Sequence, residues 1–217
     1  MKKFKLVWSS RSECGPNRKK NEDSIYPSRS GSDSPPFKAA VCDGLGGHVS
    51  GDIASTIAVK TFQDNDDNLN KLINNANEKI LKFQDDNPES LGMGTTMTAI
   101  TINEDALMKI GHVGDSRCYV LSERNLVKVT EDQNVPGYQN VLKQALGSNE
   151  KLNIHEMDFQ LQIGDVILLC SDGLYNELGE EYIKKKMQDG TSAESLVSEV
   201  LLLNPKDNVS AIVINLT

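Results

Sequence analysis

The sequence predicts an α+β fold in which antiparallel sheets are covered by helices. Short apolar runs bounded by turn residues follow one another closely, and this spacing indicates neighbouring antiparallel strands. Two separate pairs of segments repeat apolar residues at helical spacing, so each of these helices has one apolar face to bury. Sheets and amphipathic helices bury their apolar faces against each other, and we therefore expect helix pairs on the outer faces of the sheets.

Eight strands and four helices are predicted along the chain. The strands are placed at residues 5–9, 37–42, 95–102, 107–113, 117–122, 126–130, 166–170 and 209–216. The helices are placed at residues 52–62, 69–83, 180–187 and 193–203. The Asn- and Asp-rich stretch 64–70, between the first two helices, is predicted to be a solvated turn.

Length and composition predict one domain. The 217 residues include 38% hydrophobic side chains, enough for one sizeable core, and no linker-like segment divides them. We therefore expect a single domain over residues 1–217. A formal net charge of -8 argues against nucleic acid or an anionic membrane as a partner, because no broad basic surface is left to neutralise phosphates.

The sequence gives no signal for secretion or membrane insertion. No stretch approaches the roughly 20 apolar residues of a membrane span, and the polar residues 1–12 lack the apolar core of a signal peptide. The cysteines are scattered singly and are expected to be reduced thiols; they are Cys14, Cys42, Cys118 and Cys170. The predicted localisation is cytoplasmic.

The most informative segment is the hexapeptide from Asp43 to His48, Asp-Gly-Leu-Gly-Gly-His. It follows the apolar residues 39–42, which places Asp43 at the end of a predicted strand, where a carboxylate can hold a metal. The glycines allow the backbone to approach a ligand closely. The alternative is a Gly-rich strand-to-helix turn in which Asp43 only caps the next helix.

Other acidic residues recur in comparable settings, beside apolar runs and turn residues. They are Asp115, Asp172 and Asp207, and a fifth acidic site is the pair Glu22-Asp23. Carboxylates at strand ends can converge on one point of a layered sheet, where their like charges repel and require a cation.

Carboxylates without a matching set of His or Cys favour a hard metal ion. Oxygen ligands prefer Mg²⁺ or Mn²⁺ over Zn²⁺ or copper. A carboxylate that bridges two such ions supports phosphoryl transfer, because the ions activate a water and clamp the attacking and leaving oxygens. The residues thus indicate a metal-dependent hydrolase.

Six motifs occur in the order found in the metal-dependent Ser/Thr phosphatases of the protein phosphatase 2C type, and the chain resembles this family over nearly its whole length. The motifs are Gly15-x-x-Arg18-x-x-Asn21-Glu22-Asp23, Asp43-Gly-Leu-Gly-Gly-His48, Gly94-Thr95-Thr96, Gly114-Asp115-Ser116-Arg117, Ser171-Asp172-Gly173-Leu174 and Asp207-Asn208. The resemblance is to compact bacterial members. It implies a four-layer α/β/β/α sandwich of two antiparallel sheets, with metals at one edge of the two central sheets.

The resemblance also implies which residues hold the metals. Asp43 would bridge both ions, and the Gly44 carbonyl and Glu22 would serve the second ion, directly or through water. Asp172 and Asp207 would hold the first ion. The implied cofactors are two Mn²⁺ or Mg²⁺ ions.

Three further residues receive roles in the same way. Asp23 would orient metal-bound water, Asp115 would help a third, weaker metal site, and Arg18 would bind the substrate phosphate. A guanidinium suits phosphate because its planar fork matches two phosphate oxygens. The alternative for Arg18 is a solvated charge in the basic run 18–20.

The implied reaction is hydrolysis of phosphoserine and phosphothreonine in proteins by direct attack of a metal-bridging hydroxide. No phospho-enzyme is implied, and the sequence offers no nucleophile-elbow Ser and no Cys beside an Arg-rich phosphate loop. The expected partners are phosphorylated substrates of a Ser/Thr kinase in bacterial signalling. The enzyme is expected to be a monomer.

The chain departs from the family pattern at Leu45, where many eukaryotic members carry a His that protonates the leaving alkoxide. Bacterial members commonly have an apolar residue there. His48 is a candidate substitute, although a helix-start or packing role is favoured for it. His112 lies inside a predicted strand and is expected to be structural.

A second departure concerns residues 130–134, Thr-Glu-Asp-Gln-Asn, where relatives usually have Asp-His-Ser. Only a short stretch separates this segment from residues 144–147, whereas bacterial relatives place a longer helical flap between the two points. We therefore expect a shortened flap and an active site that is more open on one side.

Two alternative functions remain open at this point. One is a non-catalytic pseudophosphatase that binds phosphoproteins, although the intact Asp43, Asp172 and Asp207 argue against it. The other is a hydrolase of small phosphate esters, which an open site would admit.

Overall fold

Two antiparallel sheets form the centre of the computed structural model, which describes residues 4–45, 50–65, 68–148 and 151–217. The first sheet has six strands, in the spatial order β3 (Gly31–Asp33), β1 (Leu6–Glu13), β13 (Val209–Leu216), β12 (Val166–Cys170), β7 (Arg117–Ser122) and β8 (Asn125–Lys128). The second has five, in the order β11 (His155–Gln160), β6 (Leu107–Val113), β5 (Met97–Ile102), β4 (Phe37–Cys42) and β2 (Ser24–Tyr26). A separate hairpin pairs β9 (Asn134–Val135) with β10 (Tyr138–Leu142).

Helices cover the outer face of each sheet. Helices α1 (Gly51–Gln63) and α2 (Leu69–Asp86) pack on the five-stranded sheet, and a 3-10 turn at Pro88–Ser90 follows them. Helices α3 (Asp172–Leu178), α4 (Glu180–Gln188) and α5 (Ala193–Leu202) pack on the six-stranded sheet. The layers are therefore helices, sheet, sheet and helices, as predicted. Across the described ranges, no helix combines the length and apolar character that crossing a bilayer needs.

The apolar core has three layers because the central strands are buried on both faces. In β13, Ile212 and Ile214 lie in the cluster between the sheets, whereas Ala211 and Val213 lie in the cluster under α3 to α5. Successive side chains of a strand point to opposite faces, so the part of a strand that lies between two apolar layers is apolar at consecutive positions. The apolar run 211–214 has this origin.

The predicted elements are largely observed, and the differences concern short or polar segments. The predicted strand at 5–9 continues to Glu13, because β1 pairs with β13 along its whole length. The short strands β2, β3 and β9, with β10 and the polar β11, were absent from the prediction. The predicted helix pairs are observed on both faces, and α3 adds a third helix on one of them. With seven residues, α3 is too short to show a helical repeat.

Strand register places the acidic residues of the motifs at one end of each sheet. In the six-stranded sheet Arg117 is level with Cys170, and Cys170 is level with Ala211. The loops just beyond these residues carry Asp115, Asp172 and Asp207, so all three emerge at the same end of the sheet.

The five-stranded sheet is aligned in the same way. Ser24 is level with Cys42, and Met97 is level with Val113. Asp23 precedes the first of these residues and Asp43 follows the second. Both carboxylates therefore lie at one end of this sheet.

His112 is buried in β6, at 0% exposure, as expected for a structural residue. Its Nδ1 lies 2.8 Å from the Thr98 hydroxyl oxygen, and its Nε2 lies 3.1 Å from the Glu131 carbonyl oxygen. Burial lowers the pKa of His112 from 6.5 to about 4, because desolvation disfavours the imidazolium.

Acidification from pH 6.5 to pH 4 should therefore destabilise the fold through His112. The unfolded chain protonates this residue near pH 6.5 and the folded chain only near pH 4, so unfolding takes up a proton in that window. The contribution of His112 is complete above pH 6.5 and falls by about 1.4 kcal/mol per pH unit below it. Urea unfolding of wild type and His112→Gln in chelator, from pH 8 to pH 4.5, measures this effect. Unfolding free energies that converge as the pH falls support it, and parallel curves contradict it.

Candidate active site

A cleft of about 1020 Å³ opens at the end of the two sheets where the strand-end carboxylates emerge. Six of the eight predicted site residues line it, namely Arg18, Asp43, Gly44, Asp115, Asp172 and Asp207. The other two, Glu22 and Asp23, are buried behind this lining. His48 lies outside the described residues.

The backbone of Asp43 is fixed by the two threonines that directly precede β5, the neighbouring strand of the sheet. Its N–H donates to the Thr96 hydroxyl at 2.9 Å, and its carbonyl accepts from the Thr96 N–H at 2.8 Å and from the Thr95 hydroxyl at 2.9 Å. Helix α1 begins only at Gly51, after an N-cap at Ser50, so Asp43 does not cap it. Asp43 lines the cleft, so its carboxylate is available to bind a ligand there.

Gly44 brings the backbones of two acidic segments into contact. Its N–H donates to the Glu22 carbonyl at 3.2 Å, and a Cβ on Gly44 would lie 2.6 Å from that oxygen. The Ser55 hydroxyl donates to the same carbonyl at 2.6 Å. Only glycine permits this approach. Glu22 is thereby held beside Asp43.

Asp172 and Asp207 are joined through another close backbone contact. Asp172 is the first residue of α3, and a Cβ on Gly173 would lie 2.0 Å from the Asn208 carbonyl oxygen. The Asn208 side chain accepts from the Glu22 N–H at 3.0 Å and donates to the Lys20 carbonyl at 3.2 Å. Asn208 thus connects the loop of Asp207 with that of Glu22, a role that sequence reasoning did not assign.

Asp115 is held at the cleft from two sides. The Asn134 amide of β9 donates to its Oδ2 at 3.0 Å, and the Tyr175 hydroxyl of α3 donates to its carbonyl at 3.1 Å. The guanidinium of Arg117 lies over the Tyr175 ring, 3.6 Å from its centroid, and donates to both oxygens of Asp132. Asp115 is therefore fixed by a packed network.

Burial and neighbouring carboxylates raise the pKa of two residues of the cleft. Burial raises the pKa of Asp43 well above its usual range, and the charges of Asp23, Asp172, Asp207 and Asp115 raise it further. Burial, followed by the charges of Asp115, Asp207 and Asp23, raises the pKa of Asp172 to about 7. Asp43 and Asp172 therefore lie in the electrostatic field of the neighbouring carboxylates.

These residues fit a hard divalent cation. Asp172 Oδ1 is buried and has no hydrogen-bond partner in the described part of the chain, so an acceptor is left for a cation. Among the described side chains, no three His, Cys, Asp or Glu residues lie at metal-binding spacing. The donors are oxygens, which suit Mg²⁺ or Mn²⁺.

Arg18 lies at the rim of the cleft and touches two acidic residues. It donates from Nη2 to Asp207 Oδ2 at 2.7 Å and from Nε to the Lys206 carbonyl at 3.2 Å. Its Nη1 lies 3.9 Å from Glu22 Oε2. Arg18 is therefore an anchored side chain of the cleft, in contrast to the solvated charge considered as its alternative.

A short hairpin occupies the place of the predicted flap. Residues 140–145 line the cleft from β10 onward, and the Tyr138 and Val141 side chains of this hairpin are exposed. Buried amides of α2 hold its far end, because Gln84 donates to the Gly147 carbonyl at 2.8 Å and Asn77 accepts from the Gly147 N–H at 2.7 Å.

The profile of the Protein phosphatase 2C family matches residues 16–201. The chain belongs to the protein phosphatase 2C family. This confirms the predicted family and the predicted class of enzyme, a protein phosphatase, over the non-catalytic alternative.

Similar proteins with known names or structures agree with this membership. The serine/threonine phosphatase stp of Listeria monocytogenes is 28% identical over 94% of this chain and 93% of its own length. The crystal structure of the Mycobacterium tuberculosis serine/threonine phosphatase PstP/Ppp superposes with a TM-score of 0.86, at 27% identity, over 97% of this chain and 98% of that one. A PstP catalytic domain solved with two manganese ions gives 0.85, at 28% identity and 99% coverage of both chains. The predicted fold class is confirmed.

Neutralising one carboxylate should stabilise the metal-free protein. At pH 8 in chelator, Asp172→Asn should raise the free energy of unfolding by about 1 kcal/mol, because it removes a charge that repels its neighbours and keeps the side-chain shape. The measurement is urea unfolding, with Asp158→Asn as control, because Asp158 is exposed on β11. Mn²⁺ should raise the melting temperature of wild type and of the control by more than that of Asp172→Asn, which loses a ligand of one metal site. An Asp172→Asn variant that is no more stable than wild type in chelator would contradict this account.

Proposed function

We propose that this protein removes phosphate from phosphoserine and phosphothreonine of proteins and depends on divalent metal ions. The observation that supports it most is the meeting of Asp43, Asp172 and Asp207 in one cleft, with an unpartnered buried oxygen on Asp172 and a guanidinium at the rim. This arrangement provides acceptors for cations and a donor for phosphate in the same space.

The residues that hold the metals are proposed as follows. Asp43, Asp172 and Asp207 would hold the first ion, and Asp43, Glu22 and the Gly44 carbonyl would hold the second. Asp115 would support a third, weaker site. Mn²⁺ or Mg²⁺ is the proposed metal, and when bound it supplies an activated water and charge stabilisation for phosphoryl transfer.

The side chains of the chain itself bind and orient the reactants. Arg18 is anchored by its Nε at the Lys206 carbonyl, and its terminal nitrogens lie beside Asp207 and Glu22. These nitrogens would turn from the carboxylates to two phosphate oxygens, which fixes the phosphorus relative to the carboxylates. Asp23 accepts hydrogen bonds on Oδ2 and orients the attacking water through its carboxylate. Leu45 lines the cleft in the place where an imidazole stands in many eukaryotic members.

The substrate proteins are proposed to be targets of a Ser/Thr kinase. We also predict that the protein is a monomer and that it acts in the cytoplasm. The competing activity is hydrolysis of small phosphate esters. A comparison of peptide and small-ester substrates distinguishes the two activities.

Phosphothreonine-peptide hydrolysis should require Mn²⁺ or Mg²⁺ and stop in chelator. Asp172→Asn should lower turnover at saturating Mn²⁺ by at least about 100-fold, because it removes a charged ligand from the first metal site. Phosphate release from the peptide and from a small aryl phosphate is measured side by side, with Asp158→Asn as control. Turnover in chelator, or equal kcat/KM for the small ester and the peptide, would contradict the proposal.

Arg18→Ala should raise KM for the phosphopeptide about tenfold or more, because a charge-assisted contact to phosphate is lost. Arg18→Lys should recover part of this loss, since a point charge replaces the planar fork. Lys19→Ala is the matched control, because Lys19 is the exposed neighbour in the same basic run. Equal increases of KM in Arg18→Ala and Lys19→Ala would indicate that Arg18 is a solvated charge and does not bind the phosphate.

A further inference from the structure

Two serines from neighbouring strands bind the same oxygen of Asp23. The Ser171 hydroxyl donates to Asp23 Oδ2 at 2.8 Å and the Ser210 hydroxyl donates to the same atom at 2.6 Å. Both serines are at 0% exposure, and Asp23 is at 8%. Ser171 follows β12 and Ser210 lies in β13, so the two donors come from adjacent strands of the six-stranded sheet, whereas Asp23 directly precedes β2 of the other sheet.

The two serines are also fixed to each other. The Ser210 N–H donates to the Ser171 hydroxyl oxygen at 3.0 Å, and the Ser171 N–H donates to the Ser210 carbonyl at 3.1 Å. Because the Ser171 oxygen already accepts this bond, its hydrogen is directed toward Asp23. Neither hydroxyl can turn away without losing a buried hydrogen bond.

A chain of hydrogen bonds connects the carboxylate of Asp23 with the backbone of the same residue. The Ser12 hydroxyl oxygen lies 2.8 Å from that of Ser210, and the Asn21 amide donates to Ser12 at 2.7 Å. The Asn21 side-chain oxygen in turn accepts from the Asp23 N–H at 3.1 Å. The backbone and the carboxylate of Asp23 are thus held by one connected network.

The network acts on a carboxylate that stands next to the centre of the site. Asp23 lies close enough to Asp43 for its charge to raise the pKa of Asp43. A buried carboxylate with two hydroxyl donors on one oxygen keeps a single orientation, because rotation would break charge-assisted bonds in a low-dielectric interior.

We propose that Ser210 and Ser171 are positioning residues, which hold the Asp23 carboxylate in one orientation beside Asp43 for the hydrolytic step. This inference rests on the proposed phosphatase function. The serines touch neither substrate nor metal, and their effect passes through Asp23.

A double-mutant cycle tests this route. Wild type, Ser210→Ala, Asp23→Asn and the double variant are compared in phosphothreonine-peptide hydrolysis at saturating Mn²⁺. Ser210→Ala should lower kcat about tenfold, which is the loss of one charge-assisted hydrogen bond, and leave KM within about twofold. In the Asp23→Asn background, Ser210→Ala should cause no further loss of kcat, because its effect passes through the carboxylate.

Mn²⁺ affinity supplies a readout that does not depend on turnover. Calorimetric titration should show Mn²⁺ binding by Ser210→Ala within about threefold of wild type, less than the change in kcat. Ser10→Ala is the matched control, because Ser10 is a buried serine of the same sheet whose hydroxyl has no hydrogen-bond partner in the described residues. Ser10→Ala should leave kcat unchanged.

Several outcomes would overturn the inference. Equal loss of kcat in the wild-type and Asp23→Asn backgrounds, or loss of Mn²⁺ affinity in parallel with kcat, would show that Ser210 acts on something other than Asp23. If Ser210→Ala does not fold, Ser171→Ala removes the second donor, and the same cycle and the same expectations apply. An undiminished kcat in the serine variants overturns the inference alone, whereas a wild type without turnover overturns the proposed function and this inference together.

Discussion

Repulsion among carboxylates is the constraint on which the rest of this structure depends. Asp43, Asp115 and Asp172 would separate in a loosely held chain, because the charges of Asp115 and Asp172 disfavour ionisation of Asp43, and the charge of Asp115 disfavours ionisation of Asp172. The fold opposes this with rigid strand ends from two sheets packed face to face. The repulsion lowers the stability of the folded protein, but it leaves carboxylate oxygens available to bind a cation. Sites that are preformed before their ligand binds commonly carry this cost.

Close backbone contacts convert the two sheets into one site. The Gly44 contact with Glu22 and the Gly173 contact with Asn208 join loops that are far apart in the sequence. Neither contact leaves room for a side chain. The main chain therefore sets the positions of the acidic residues. Because the main chain moves less than side chains do, the side chains of the site start from well-defined positions.

The sequence was sufficient for the strand ends and the acidic residues because both follow from local pattern. The strands at 37–42, 107–113, 117–122, 166–170 and 209–216 have the predicted bounds, since apolar runs buried on both faces are unambiguous. Short pieces such as β2 and α3 are stabilised by neighbours rather than by their own periodicity, so no local pattern marks them. Asn208, Ser171 and Ser210 were within or beside recognised motifs, but their roles depend on partners more than 30 residues away in sequence, such as Glu22 and Asp23. Side-chain pairing of this kind cannot be read from spacing.

The pairing of β1 with β13 gives the site a late place in the order of folding. Leu6 is level with Leu216, and Glu13 is level with Val209, so this strand pair of the six-stranded sheet joins the two ends of the described chain. Contacts of such high sequence separation form slowly, because a long loop must close before they contribute. During synthesis the segments that carry Asp43, Asp115 and Asp172 emerge before Asp207 and β13 do. A nascent chain therefore carries most of the acidic residues before the strand that completes their arrangement has emerged.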